Sequence, residues 1–234
     1  MEKLKFSFNQ LENSLGFLSE FAFSLVQLDV SFNELAEVNR NDFCMGSKLN
    51  YLFLNNNKLK YVRNFTFENL AESLLSLNLD NNLIQVIEPM CFNGLKALNS
   101  LSIRNNLIKS VLSSTFVSFD SCKILMTRNN ISLMEPNAFK YKSNVSFDYQ
   151  LLIGDRFTHG CFSFEFLDLS QQNTQAIYKN SLKGLFKKLH IENNIISKFE
   201  TDAFDYMPYL NELSLAKNLI RSLDFGTEQL LGTP

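Results

Sequence analysis

Tryptophan is absent from this chain of 234 residues, glycine (8) and proline (4) are scarce, and there are only two histidines, His159 and His190. A fold built from many dissimilar turns draws more heavily on glycine and proline, which supply left-handed and fixed-φ positions. Two histidines leave little material for a catalytic triad or an imidazole metal site. Neither GxGxxG nor GxxxxGK[ST] occurs, so no phosphate-cradling loop is encoded. Asp29, Asp80, Asp148 and Asp168 are set at outward strand positions with no visible partner to tune them for acid–base work. His159, Asp155 and Cys161 fall in an irregular stretch, and their proximity reads as accidental rather than as a ligand cluster. The expectation is a non-enzyme without cofactor or metal.

Two further absences bear on partners and compartment. The formal charge is −2 and the pI about 5.8. That gives no basic field for phosphates, which argues against nucleic acid as a partner. No window reaches the roughly 18 uncharged apolar residues of a membrane span, and the opening MEKLKFSFNQ lacks the apolar core of a secretory signal. Either the chain is cytosolic, or Met1 lies inside a longer secreted or membrane-anchored protein.

What the chain does have is one pattern, repeated. LKFSFNQL starts at Leu4, LDVSFNEL at Leu28, LFLNNNKL at Leu52, LNLDNNLI at Leu77, LSIRNNLI at Leu101 and ILMTRNNI at Ile124. A blurred copy, VSFDYQLL, starts at Val145, then LDLSQQNT at Leu167, LHIENNII at Leu189 and LSLAKNLI at Leu213. The spacing stays between 21 and 25 residues. A fixed period in this range is the signature of a solenoid whose coils are stabilised by stacking on one another.

The unit L-x-L-x-x-N-x-L has a physical reading. In a strand alternate residues face opposite ways, so Leu77 and Leu79 enter the core while Asn78 and Asp80 face out. The Asn that follows, at positions Asn9, Asn33, Asn57, Asn82, Asn106, Asn129, Asn194 and Asn218, falls where the chain leaves the strand for the interior. Its amide carries both donors and an acceptor for backbone groups that the turn would otherwise bury unpaired. Gln150 and Gln172 hold the longer amide at two such positions. Val38, Val62, Ile87, Val111, Met134, Ile177, Phe199 and Leu223 then close the coil, with Phe43, Phe67, Phe92, Phe116, Phe139 and Phe204 filling its outer half. That use explains much of the count of 23 phenylalanines.

The full unit, LxxLxLxxNxLxxLxxxxFxxL, resembles the typical 24-residue repeat of extracellular leucine-rich repeat proteins: Toll-type receptors, chaoptin- and connectin-like adhesion proteins and small proteoglycans. The resemblance implies an α/β solenoid, a horseshoe with a parallel sheet on the concave face and irregular or short helical convex segments. It covers residues 1–234 as one array of about ten repeats, starting near 1, 25, 49, 74, 98, 121, 142, 164, 186 and 210. Neither end carries the clustered cysteines of a family cap. Residues 142–163 form a degenerate repeat, with Asp155 and Gly160 where apolar anchors belong. For function the resemblance implies a non-catalytic protein-binding module of a secreted or cell-surface receptor or adhesion protein. An intracellular scaffold or adaptor is the rival.

Cys44, Cys91, Cys122 and Cys161 are out of phase for pairing: Cys44 and Cys161 lie five repeats apart, about 24 Å, against the ~7 Å limit of bridged Cα atoms. Sequons at Asn64, Asn130 and Asn144 fit an extracellular location. A ligand is expected on the concave face at Asp29, Phe32, Tyr51, Phe53, Asp80 and Arg104, where aromatic anchors adjoin charges as interface hot spots do. The expected partner is a protein ligand or co-receptor, with dimerisation an open alternative.

Overall fold

The computed structural model describes residues 1–12, 15, 16, 18, 24–116, 122–131, 133–135, 138, 164–172, 174, 176–177, 186–199, 204 and 210–221. Its central feature is one parallel sheet of nine short strands. These are β1 (Lys3–Lys5), β2 (Gln27–Asp29), β3 (Tyr51–Phe53), β5 (Ser76–Asn78), β7 (Ser100–Ser102), β9 (Lys123–Leu125), β11 (Phe164–Asp168), β13 (Phe186–His190) and β15 (Glu212–Ser214). Between them lie two-residue strands on the flank: β4 (Tyr61–Val62), β6 (Val86–Ile87), β8 (Ser110–Val111), β10 (Leu133–Met134), β12 (Ala176–Ile177) and β14 (Lys198–Phe199). Register is unbroken by slippage: Leu4, Leu28, Leu52, Leu77, Leu101 and Ile124 stand opposite one another in turn. A one-residue slip would turn every leucine to solvent, so burial itself fixes the pairing.

Just past each strand the chain takes one residue through the left-handed region. These residues are Phe8, Phe32, Asn56, Asn81, Asn105, Arg128, Gln171, Asn193 and Lys217, with φ between 52° and 59°. Asn accepts that conformation most readily among non-glycine residues, which is why it recurs there. The ladder amide comes next. Asn82 Nδ2 donates to Leu79 O of its own coil (3.1 Å) and Leu54 O of the coil before (3.0 Å), while its Oδ1 accepts from Leu59 N (3.1 Å). Asn33, Asn57, Asn106, Asn129 and Asn218 repeat this arrangement. Each amide thus joins groups of two coils in a dry interior, and carbonyls such as Leu54 O and Leu79 O accept from the amides of two successive coils.

On the far side Phe43, Phe67, Phe92 and Phe116 stand in file, with ring centroids 5.9, 6.0 and 5.7 Å apart. Where they are described, the connecting segments are turns, with 3-10 turns at Arg40–Asp42 and Glu68–Leu70. Among the described residues there is no α-helix, so the expected helical convex segments reduce to single 3-10 turns.

The expected tenth repeat also needs correction. β9 pairs directly with β11, Ile124 opposite Leu167, so no strand from residues 142–163 stands between them. That segment lies outside the described residues. The ladder crosses the junction through the longer amide: Gln172 Nε2 donates to Met126 O (2.7 Å), its Oε1 accepts from Ile131 N (3.3 Å), and Thr174 Oγ1 donates to Ile131 O (2.9 Å). Asp155 and Gly160, the two departures from the repeat, fall within residues 142–163.

Candidate ligand-binding face

Alternation leaves the sheet with one face of leucines and one of everything else. On β3 the buried Leu52 separates Tyr51 and Phe53, which therefore share the open face about 6.6 Å apart along the strand. Tyr51 is exposed and Phe53 half-buried. Their cross-strand neighbours are Gln27 and Ser76 for Tyr51, and Asp29 and Asn78 for Phe53. This pair forms an aromatic step among short polar side chains.

The other expected ligand residues do not join it as one cluster. Asp29 is turned to its own chain, its Oδ1 accepting from Ser31 N (3.0 Å) and Ser31 Oγ (2.6 Å). Asp80, outward by alternation, is buried beneath Arg104 of the next coil. Its carboxylate accepts from Ser102 Oγ (2.7 Å), Arg104 N (2.6 Å), and Arg104 Nε and Nη2 (3.0 and 2.8 Å). The side chain that remains open is Arg104, half-exposed with its fork held in a fixed plane by Asp80. Phe32 sits at the rim in its left-handed turn, stacked on Phe8 with centroids 4.1 Å apart and planes within 10°. Phe8 was not anticipated. The signal was the repeated Ser-Phe-Asn of Ser7–Asn9 and Ser31–Asn33, which puts two aromatics in the same turn of adjacent coils.

A second group was also missed. Lys123 Nζ lies 5.5 Å from the Phe166 ring centroid, and Phe166 meets His190 edge-on at 4.8 Å. His190 Nε2 is 2.7 Å from Glu212 Oε1, and Lys188 Nζ is 2.8 Å from Glu212 Oε2. Hydrogen bonds from Lys188 first and His190 second hold the Glu212 carboxyl below its usual range. Lys123 and Phe166 are cross-strand neighbours because β9 pairs directly with β11, and repeat counting hides that. His190 is thus an interacting side chain, not a solitary solvated one.

The two buried thiols, Cys91 and Cys122, are poor nucleophiles. Cys44, Cys91 and Cys122 are unpaired. Burial pushes the Cys91 thiol well above its ordinary value and that of Cys122 up to about 12. Cys91 fills the slot that Thr66 and Thr115 fill in the adjoining coils, so it packs as a small apolar residue. Of the sequons, Asn64 is exposed on the turn beyond β4, its backbone N donating to Glu88 Oε2 (2.9 Å), and Thr66 is buried with its hydroxyl on Arg63 O (2.9 Å). Asn130 is exposed on the flank and Asn144 lies outside the described residues. Among the described residues no helix is long and apolar enough to cross a membrane.

Comparison with known proteins agrees with this architecture. Residues 72–131 match the leucine rich repeat family model. Over 81 residues the chain is 35% identical to a probable glycoprotein hormone G-protein coupled receptor of Anthopleura elegantissima. That stretch is 35% of this chain and 9% of the receptor. Among solved structures, the TLR13–ssRNA13 complex superposes with a TM-score of 0.68 at 21% identity, covering 91% of this chain and 28% of that one. The Drosophila Toll–Spatzle complex gives a TM-score of 0.62 at 20% identity, covering 87% and 26%. Residues 72–131 are thus leucine-rich repeats by sequence, the solved structures share the fold, and the chain spans a small part of each of these proteins. One neighbour is described in complex with RNA, so the architecture gives no ground for the expected exclusion of nucleic acid.

Proposed function

We propose that this chain is the ligand-recognition part of a secreted or cell-surface receptor, a non-catalytic array that binds a protein on the open face of its sheet. The observation that carries this reading is Tyr51 and Phe53 side by side on that face, with the braced guanidinium of Arg104 two coils on. Strands that only face water have no need of such a pair, and rigid aromatics with arginine dominate interface energetics. Asp29 and Asp80 act behind them, ordering the backbone and Arg104, while Phe32 with Phe8 marks the rim. The receptor neighbours support the reading by fold.

The unpaired cysteines favour a second reading, an intracellular scaffold, although Cys91 and Cys122 are buried where a free thiol is inert. Both readings meet one experiment: the chain is expressed through a mammalian secretory pathway, and proteins retained from the medium are compared for wild type, Tyr51→Ala with Phe53→Ala, and an Asn64→Gln control. The double variant loses about 10-fold or more in affinity for the retained protein, at ~1–3 kcal/mol for each anchor, and the control keeps it. Loss in the control with retention in the double variant would transfer the site to the opposite surface. A retained species destroyed by RNase would make the ligand nucleic acid, and an unglycosylated, misfolded secreted product would favour the scaffold.

A further inference from the structure

Just past the flank strands β4, β6 and β8 the chain turns its corner in one way. Thr66 N donates to Arg63 O (3.3 Å), Cys91 N to Glu88 O (3.3 Å) and Thr115 N to Leu112 O (3.2 Å), with Phe65, Met90 and Ser114 in the left-handed region. A left-handed third residue after a second residue that can be proline marks a type II turn. The second residues are Asn64, Pro89 and Ser113, and the fold asks little of their side chains. Asn64 N and Ser113 N each donate to a glutamate of the next coil, Glu88 Oε2 (2.9 Å) and Glu135 Oε2 (2.8 Å). Pro89 has no N–H to satisfy, and the matching position of its next coil is Leu112. A corner that accepts proline and serine does not depend on the asparagine amide. The threonine, by contrast, belongs to the turn: Thr66 Oγ1 donates to Arg63 O (2.9 Å), as Thr115 Oγ1 does to Leu112 O (2.8 Å).

The first of these corners also stands out from the surface. Arg63, Asn64 and Phe65 are all exposed, whereas residues 88–90 and 112–114 are half-buried. Asn64-Phe65-Thr66 is an acceptor sequence for N-linked sugar, and here it puts a dispensable amide at an exposed corner. We propose that Asn64 carries an N-linked oligosaccharide, added before this coil closes. The inference rests on the reading of the chain as secreted or cell-surface. In the transfer Asn64 Nδ2 displaces a lipid diphosphate from C1 of the first N-acetylglucosamine of the donor. The N–C1 bond forms, the C1–O bond breaks with its electron pair leaving on the diphosphate, and one amide proton is lost to base. The amide keeps its second N–H for Glu88 Oε2 or Pro89 O of the next coil, both within its reach. Acceptor recognition uses the threonine hydroxyl, which the finished turn withdraws onto Arg63 O with Thr66 buried, so transfer comes first and closure second. The sugar then stands on the flank beyond β4, outside the nine-stranded sheet that carries Tyr51 and Phe53.

The test secretes the full chain from mammalian cells behind a leader peptide and follows the peptide containing Asn64 by mass spectrometry. Amidase release converts a glycosylated asparagine to aspartate, and more than half of the secreted molecules should show that conversion at position 64. Asn64→Ser chains should show none, with unchanged circular dichroism, because Ser113 occupies the same corner two coils on. The folded chain made in bacteria, offered the oligosaccharyltransferase with its lipid-linked donor, should stay unmodified at Asn64. Intact asparagine at position 64 of the folded, secreted chain would overturn the site, and modification of the folded bacterial chain would overturn the order of events. A chain unmodified at Asn64 that still binds its partner through Tyr51 and Phe53 overturns this inference and leaves the receptor reading standing. A glycosylated chain that binds nothing through them supports the site and removes that reading.

Discussion

The coils from Leu28 to Ile131 and those from Leu167 to Asn218 are made from the same strand, yet among the described residues their rings are buried to different depths. Phe43, Phe67, Phe92 and Phe116 are buried and hand contact from coil to coil, whereas Phe199 and Phe204, in contact with each other, pack on the core only partly buried. Both sets keep the ladder, through Asn57, Asn82, Asn106 and Asn129 in one and Gln172, Asn194 and Asn218 in the other. The two seams therefore do different work. An amide must meet particular donors and acceptors and fixes the stacking register, while a ring fills volume that other side chains can fill.

The strongest test of that contrast is Phe92→Ala. Phe92 is fully buried between two rings, so truncation opens a cavity on both sides and costs about 3–5 kcal/mol. Phe204→Ala removes a ring that only partly packs on the core, and should cost well under half as much. Denaturant midpoints of the two variants decide it, and equal losses would abolish the distinction between the regions.

A smaller effect is expected at the junction. Gln172→Asn shortens the amide by one methylene, pulling it from Met126 O, which keeps the Asn129 amide, and from Ile131 N, which loses the acceptor that spans the junction. The expected loss is ~1–3 kcal/mol. Amide exchange should localise it, with Ile131 speeding up and Leu59, which donates to Asn82 in the regular region, unaffected. Unchanged protection at Ile131 would mean that the ladder does not hold the junction.

Most of the fold was legible because its determinants are local and periodic: Leu77 and Leu79 flanking Asn78, with Asn82 three residues beyond. The errors came from features that period alone does not encode. Asp80 occupies an outward position by alternation, but Arg104 on the next coil folds over it, and a single repeat cannot display a contact between coils. VSFDYQLL alternates like the strands on either side, and repeat counting does not reveal that β9 pairs directly with β11. The aromatics expected at the candidate site do not stand as one group, since Tyr51 is on the strand and Phe32 in the turn beyond it.

The junction also offers the mildest perturbation, and the one that bears on both regions together. Ile124 and Leu167 are neighbours in the sheet although 43 residues apart, where other adjacent strands are separated by 22 to 25. Deleting residues 142–163 would bring that separation to 21, within the roughly 20–29 that one leucine-rich coil needs. Because β9 and β11 already pair, the deletion removes no strand from between them. The closure entropy of the connection changes by only about 0.6 kcal/mol for a halving of its length. Stability should therefore stay within ~1 kcal/mol of the parent chain, and amides of Met126 and Leu169, which donate across to the next strand, should keep their protection. A loss of several kcal/mol, or separate unfolding of the two halves, would mean that the segment packs as a coil of the array after all.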